Sequence, residues 1–187
     1  MSNISSNLII EALQYYQDLG YKIIDVPQVV DFDVSQHTKP EGVPEKFHRG
    51  MKVYVASAEQ SFLQLHKEGK LSNGKYVAMT PCYRNETCLD DTHYNMFLKV
   101  ELINIGSINS AECVYDAKRF FDIYTPSVVI ETHESINSFD IITAYCKTEL
   151  GSYGVRSTLD GINYVYGTGI AEPRFSVVLD KYKNRYS

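Results

Sequence analysis

The sequence predicts an α+β domain with a mostly antiparallel sheet flanked by helices, and three stretches carry that reading. Leu8, Ile9, Ala12, Leu13, Tyr16 and Leu19 recur at helical spacing. Residues 95–106 alternate with a period of two: Met96, Leu98, Val100 and Leu102 take one face, Phe97, Lys99 and Glu101 the other. Near the end, Ile162 to Tyr166 form a strand that enters Gly167-Thr168-Gly169 ahead of a short helix through Phe175, Val178 and Leu179.

Taken in order, the first helix starts at Asn7 as N-cap and stops at Gly20. Residues 20–26 form a short strand ending at Pro27, which suits a strand end because proline donates nothing to a ladder. Residues 31–50 are rich in Asp, His, Lys, Pro and Gly without periodicity and read as a long loop. Residues 53–56 are strand-like, and Glu59 to Lys67 form a short helix that Gly69 stops. Lys75 to Thr80 make a strand limited by Pro81; beyond it Arg84 and Glu86, two apart, face the same way in extended chain. The polar loop 87–94 holds Asp90, Asp91 and His93. Asn109-Ser110-Ala111-Glu112 has the form of a capping box for a helix through Val114, Ala117, Phe121 and Tyr124, closed by Pro126. Residues 128–130 and 139–144 are further strands.

With 187 residues, 44% of them hydrophobic, the chain reads as one domain over 1–187 with a proper core. A formal net charge of −5 without any cluster of five cations is not the footprint of a module that grips RNA by its phosphates. The closest approach is the tail from Lys181 to Tyr186, where cations and aromatics interleave, and a solvated helix end is the plainer reading. No apolar run reaches spanning length and the amino terminus lacks a cleavable leader, so no membrane and a cytoplasmic location are expected. Cys82, Cys88, Cys113 and Cys146 show neither Cys-x-x-Cys spacing nor histidine partners, which leaves free thiols rather than zinc or disulfides.

Three segments share a further likeness. A helix running into Pro27, then Pro81-Cys82-Tyr83-Arg84-Asn85-Glu86 followed by 96–102, then Gly167-Thr168-Gly169-Ile170-Ala171-Glu172-Pro173-Arg174-Phe175 resemble, in this order, the three signature motifs of the class II aminoacyl-tRNA synthetase catalytic domain. The resemblance spans Leu8 to Leu179 and departs from the pattern at Ala171, in place of a third glycine, and at Pro173, in place of an acidic residue. It implies a class II synthetase-like core that uses ATP and Mg2+ to convert an amino acid to its adenylate, passes it to tRNA or another acceptor, and dimerises through the first motif.

By resemblance, Arg84 neutralises the α-phosphate, Arg174 holds the γ-phosphate and covers adenine, and Phe97 stacks beneath the base. Glu86 accepts from the adenine amino group or from the amino acid, and Glu149 meets magnesium, which takes oxygen ligands and keeps waters. Gly167 and Gly169 let the backbone approach the nucleotide. Ser57, Glu59 and Glu101 fall to the substrate amino acid, although an acidic Glu59 equally suits the start of a helix. His93 either assists or is an ordinary loop histidine, and Ser152 and Arg156 are either site residues or plain strand positions. Catalysis by alignment and charge needs no general base, consistent with the lack of any triad. Other outcomes of the same core are a non-catalytic nucleotide- and amino-acid-binding regulator, or an amide ligase like asparagine synthetase. No anticodon-reading module accompanies the motifs in these residues, which lowers the expectation of autonomous tRNA charging.

Overall fold

A computed structural model describes residues 4–39, 44–86, 89–90, 92–125, 128–133 and 138–186. Asp91, Cys88 and Pro126 of the sequence analysis lie outside them. The chain runs α1 (Ser6–Asp18), β1 (Lys22–Ile23), β2 (Val29–Asp31), α2 (Phe32–Thr38), β3 (Phe47–Arg49), β4 (Lys52–Tyr54), α3 (Ala58–Lys67), β5 (Gly74–Tyr83), β6 (Met96–Ile105), α4 (Ser110–Tyr124), β7 (Val128–His133), β8 (Ser138–Thr143), β9 (Glu149–Ser157), β10 (Asn163–Glu172) and α5 (Arg174–Tyr186). A seven-stranded sheet in the order β1-β5-β6-β10-β9-β8-β7 is antiparallel throughout except for the β1–β5 pair, and β2-β4-β3 form a small second sheet.

The period of two in β6 sorts its side chains between two cores. Val100 and Leu102 pack with Tyr16 of α1, Phe120 and Phe121 of α4 and Phe175 of α5 on one face. Ile103 and Ile105 pack on the other with Phe62 and Leu63 of α3, Val34 of α2 and Tyr164 of β10. Each such large apolar side chain contributes about 1.5–3 kcal/mol on burial. Helix α3 covers only the later part of β6. On that same face Phe97, Lys99 and Glu101 come before the helix cover and floor a cavity.

Both early helices end as the glycines predict. Gly20 (φ 89°) donates to Gln17 and Tyr21 to Tyr16; Gly69 (φ 68°) donates to His66 and Lys70 to Leu65, two Schellman closures. The starts differ from expectation. Ser5, not Asn7, caps α1, its Oγ accepting from Leu8 N–H at 3.4 Å while its own N–H donates to Glu172 across the fold. The capping box at Asn109 does not form: that side chain makes no cap bond, and Glu112 pairs instead with Lys75.

Three further expectations are corrected. Residues 31–50 contain α2 and β3, short elements held by tertiary contacts such as Ser35 Oγ to Glu45 and Gln60 to Ser35. Pro81 does not limit β5, which continues to Tyr83. Around it the odd-numbered N–H groups point away from β6, as Tyr83 N–H to Val55 O shows, and β1 reaches only Tyr76 and Val77, so the missing donor falls on an open edge. The terminal helix is no short turn but runs from Arg174 to Tyr186, with Lys183 and Arg185 in its last turn.

Cys82 and Cys113 are buried free thiols, which burial pushes up to about 12; Cys146 is a half-buried free thiol. Among the described residues, no helix is long and apolar enough to cross a membrane.

Candidate functional site

The chain leaves β5 and re-enters β6 pinned at Asn95, whose carbonyl accepts Arg84 N–H at 3.0 Å and whose Oδ1 accepts Glu86 N–H at 3.1 Å. That anchoring turns both side chains over the floor of β6. Arg84 Nη1 lies 3.9 Å from Glu86, and its guanidinium carbon sits 5.0 Å from the centre of the Phe97 ring. Phe97 is 8% exposed and Glu101 5%, so this face of β6 is a sheltered floor.

Arg174 enters from the other side at the start of α5. Its Nε donates to Thr92 O at 3.1 Å, its Nη1 to Glu149 O at 3.4 Å, and Nη1 lies 3.7 Å from the Glu149 carboxylate. Burial lowers the Arg174 pKa from its ordinary value and the charge of Arg84 adds to this, while Glu149 opposes it. The two guanidiniums are thus close enough to repel, a cost that an anion between them relieves. Arg84, Glu86, Phe97, Glu149 and Arg174 line one cavity of about 240 Å3. The loop side is held by Asp90, whose Oδ1 accepts from Thr92 and His93 backbone N–H groups at 2.6 and 2.8 Å.

A second cavity of about 390 Å3 adjoins the first, sharing Arg84, Glu86, His93, Lys99, Ser152 and Thr168. Joined, the two reach the range of small-molecule sites, roughly 300–1,000 Å3. Ser57, Glu59 and Glu101 line this second chamber. Each already has partners. Glu101 accepts from Ser57 Oγ at 2.7 Å to both oxygens, from the N–H groups of Ala58 and Glu59, and pairs with Lys99. A carboxylate on the first amides of a helix is favourable both as a hydrogen-bond acceptor and through the dipole, so Glu101 fastens α3 to the sheet. Glu59 accepts both oxygens' bonds from Arg156 Nη1, at 2.9 and 2.6 Å, and a third from Tyr164 Oη at 2.7 Å. Burial raises the Glu59 pKa above its ordinary value, with Arg156 and Tyr164 opposing.

The glycine pair lies elsewhere than predicted. A Cβ on Gly167 would stand 2.6 Å from both Cys113 Sγ and Tyr153 Cδ1, and one on Gly169 2.8 Å from Tyr16 Cε2. Both point into the helix-covered core, and neither lines either cavity. Thr168 between them does, and so does His93. Thr92, whose carbonyl holds Arg174, carries no sequence signal, since any residue offers that carbonyl.

An antiparallel sheet carrying an arginine at the end of one long strand and another at the helix after the last strand has the fold of the class II aminoacyl-tRNA synthetase catalytic domain. Comparison with solved structures agrees. A pyrrolysyl-tRNA synthetase from Desulfitobacterium hafniense superposes with TM-score 0.75 at 15% identity over 94% of this chain and 68% of that one. The cytoplasmic serine-tRNA ligase of Naegleria fowleri in complex with AMP gives 0.69 at 15% identity over 91% of this chain and 46% of that one. Seryl-tRNA synthetase from Pyrococcus horikoshii complexed with ATP gives 0.71 at 16% identity over 92% and 49%. The chain therefore spans about half the length of the seryl enzymes. No family model and no curated protein matches its sequence.

Proposed function

We propose that this domain binds ATP between Arg84, Phe97 and Arg174 and activates an amino-acid carboxylate as its adenylate, for transfer to tRNA or another acceptor. The observation that supports this best is the meeting of two guanidiniums from separate elements, with Glu86 and Glu149, above a sheltered aromatic on the sheet. In the reaction a carboxylate oxygen bonds to the α-phosphorus as the bond from that phosphorus to the β-bridging oxygen breaks, and pyrophosphate leaves. Arg84 supplies two planar donors to the α-phosphate oxygens as their charge grows, and Arg174 holds the leaving pyrophosphate or the base. Base stacking on Phe97 requires the Arg84 guanidinium to slide off the ring toward the phosphates.

Among the described residues no three His, Cys, Asp or Glu side chains gather as a metal site. The residues suit a magnesium ion carried by the nucleotide, with Glu149 as the protein carboxylate: one acid plus phosphates satisfies an ion that keeps its waters. Such an ion would supply neutralisation of phosphate charge. Dimerisation through α1 belongs to the same proposal.

The test is amino-acid-dependent exchange of pyrophosphate into ATP across the standard amino acids, with and without total tRNA. One amino acid should support exchange, and Arg84→Ala should reduce it by about 100-fold or more, the scale of losing a single transition-state donor. Survival of exchange in that variant refutes the assignment. ATP binding with no exchange for any amino acid favours the regulatory alternative, which the internal pairing of Glu59 and Glu101 also suits.

A further inference from the structure

We infer that the second cavity takes an amino acid whose side chain ends in a carboxylate, and that Arg156 is the residue that reads it. This rests on the adenylating reading above. The cavity wall is built from acid–base pairs, Arg84 with Glu86, Lys99 with Glu101 and Arg156 with Glu59. The Tyr166 ring on that wall carries the Arg156 guanidinium, 4.2 Å from the ring centre. A neutral side chain placed beside that guanidinium leaves its charge without a counter-ion from the ligand, which a carboxylate supplies.

Arg156 is held as a receptor. Among the described residues its two hydrogen bonds to Glu59 both leave from Nη1, and the guanidinium rests over the Tyr166 ring. Glu59 is fixed from behind by Tyr164. Both line the cavity, but the side chain of Arg156 is 40% exposed and that of Glu59 only 9%, so the cation is the more accessible member of the pair. A guanidinium has five donors in a rigid fork. With one nitrogen engaged, the remaining edge matches the two oxygens of a carboxylate, and the ordering entropy of the arginine has been met before the ligand arrives. A hydroxyl side chain uses one of those donors; a carboxylate uses two and adds charge.

Exchange is measured with aspartate, glutamate, asparagine, glutamine, serine, leucine and phenylalanine. Aspartate or glutamate should be the best substrate. Arg156→Lys keeps a cation for Glu59 but loses the fork, and should raise the KM for that acid about 10- to 100-fold, the worth of one charge-assisted pair, with the KM for ATP and the melting temperature unchanged. A merely structural arginine would instead move stability. The double change Glu59→Gln with Arg156→Gln leaves no charge buried alone and should show the same loss. Best exchange with a neutral amino acid overturns this inference and leaves ATP-dependent activation standing. If no amino acid supports exchange, the adenylating reading fails, and calorimetry of aspartate and glutamate with the ATP-loaded domain decides this one: binding that Arg156→Lys abolishes supports it, and no binding overturns it.

Discussion

Gly167→Ala separates two roles for the glycine pair. The added methyl would stand 2.6 Å from Cys113 Sγ, 2.6 Å from Tyr153 Cδ1 and 3.0 Å from Tyr153 Cε1, each well inside van der Waals contact. Neither neighbour yields easily. Cys113 is 4% exposed on α4, and Tyr153 is fully buried with its hydroxyl donating to Thr168 O at 2.5 Å, so moving the ring breaks a buried hydrogen bond. Overpacking of this kind costs about 1–3 kcal/mol. For a domain of this size that corresponds to a melting temperature lower by about 2–12 °C. Because the methyl enters the core behind the sheet, ATP affinity per folded molecule should not change. Calorimetric melting and nucleotide titration on the same preparation check both. Cys113→Ala in the same chain removes one of the two clashes and should recover part of the loss, a coupling that a double-mutant cycle measures. A variant of normal stability whose ATP affinity falls would refute the packing account and restore a direct role for Gly167 at the nucleotide.

Two pH-dependent outcomes follow from buried and paired carboxyls. Glu172 is fully buried, accepts from Ser5 and Ser176 N–H groups at 3.0 Å each, and burial raises its pKa above the ordinary value. Its contribution to stability is therefore full below the unfolded carboxyl pKa of about 4.3 and is lost as pH rises through the folded value; Glu172→Gln should flatten that decline, read from denaturant midpoints between pH 4 and 7. An unchanged slope counts against it. Asp31 is the opposite case: Lys52 and then Lys67, at 2.7 and 3.1 Å, pull its pKa down to about 2. Its contribution is present above about pH 4 and disappears as pH falls through 2, so Asp31→Asn should blunt acid unfolding in that window and lower stability at pH 7 by at most about 1 kcal/mol, the range of exposed pairs.

Much of the site was legible because its signals are local. Arg84 and Glu86 are two apart on extended chain, and Phe97, Lys99 and Glu101 alternate on β6, so placing one residue on the floor places the others. Gly20 and Gly69 ended their helices because positive φ is a backbone demand that a single residue type meets. Signals that depended on a distant partner misled. Asn7 and the Asn109 box have acceptable capping chemistry, but Glu172 holds the N–H of Ser5, and Lys75 takes Glu112. Residues 31–50 lack periodicity because α2 and β3 are too short to show one, and contacts with α3 and Glu45 order them.

By itself the sequence determined the antiparallel α+β core, through periodicities of 3.6 and 2 and the glycine stops, and it named the two arginines and the aromatic that share a cavity. Only the tertiary structure decided which way each neighbour faces and what it is already bound to. Gly167 and Gly169 serve the core because β10 turns them toward Tyr16, Cys113 and Tyr153; Glu101 fastens α3 because the helix amides come down on it; and Arg156 gains an exposed cationic edge because Glu59 and Tyr164 meet it from another element. Spacing along the chain sets the face of a strand, whereas the partner across that face comes from residues far away in sequence, and no local pattern encodes it.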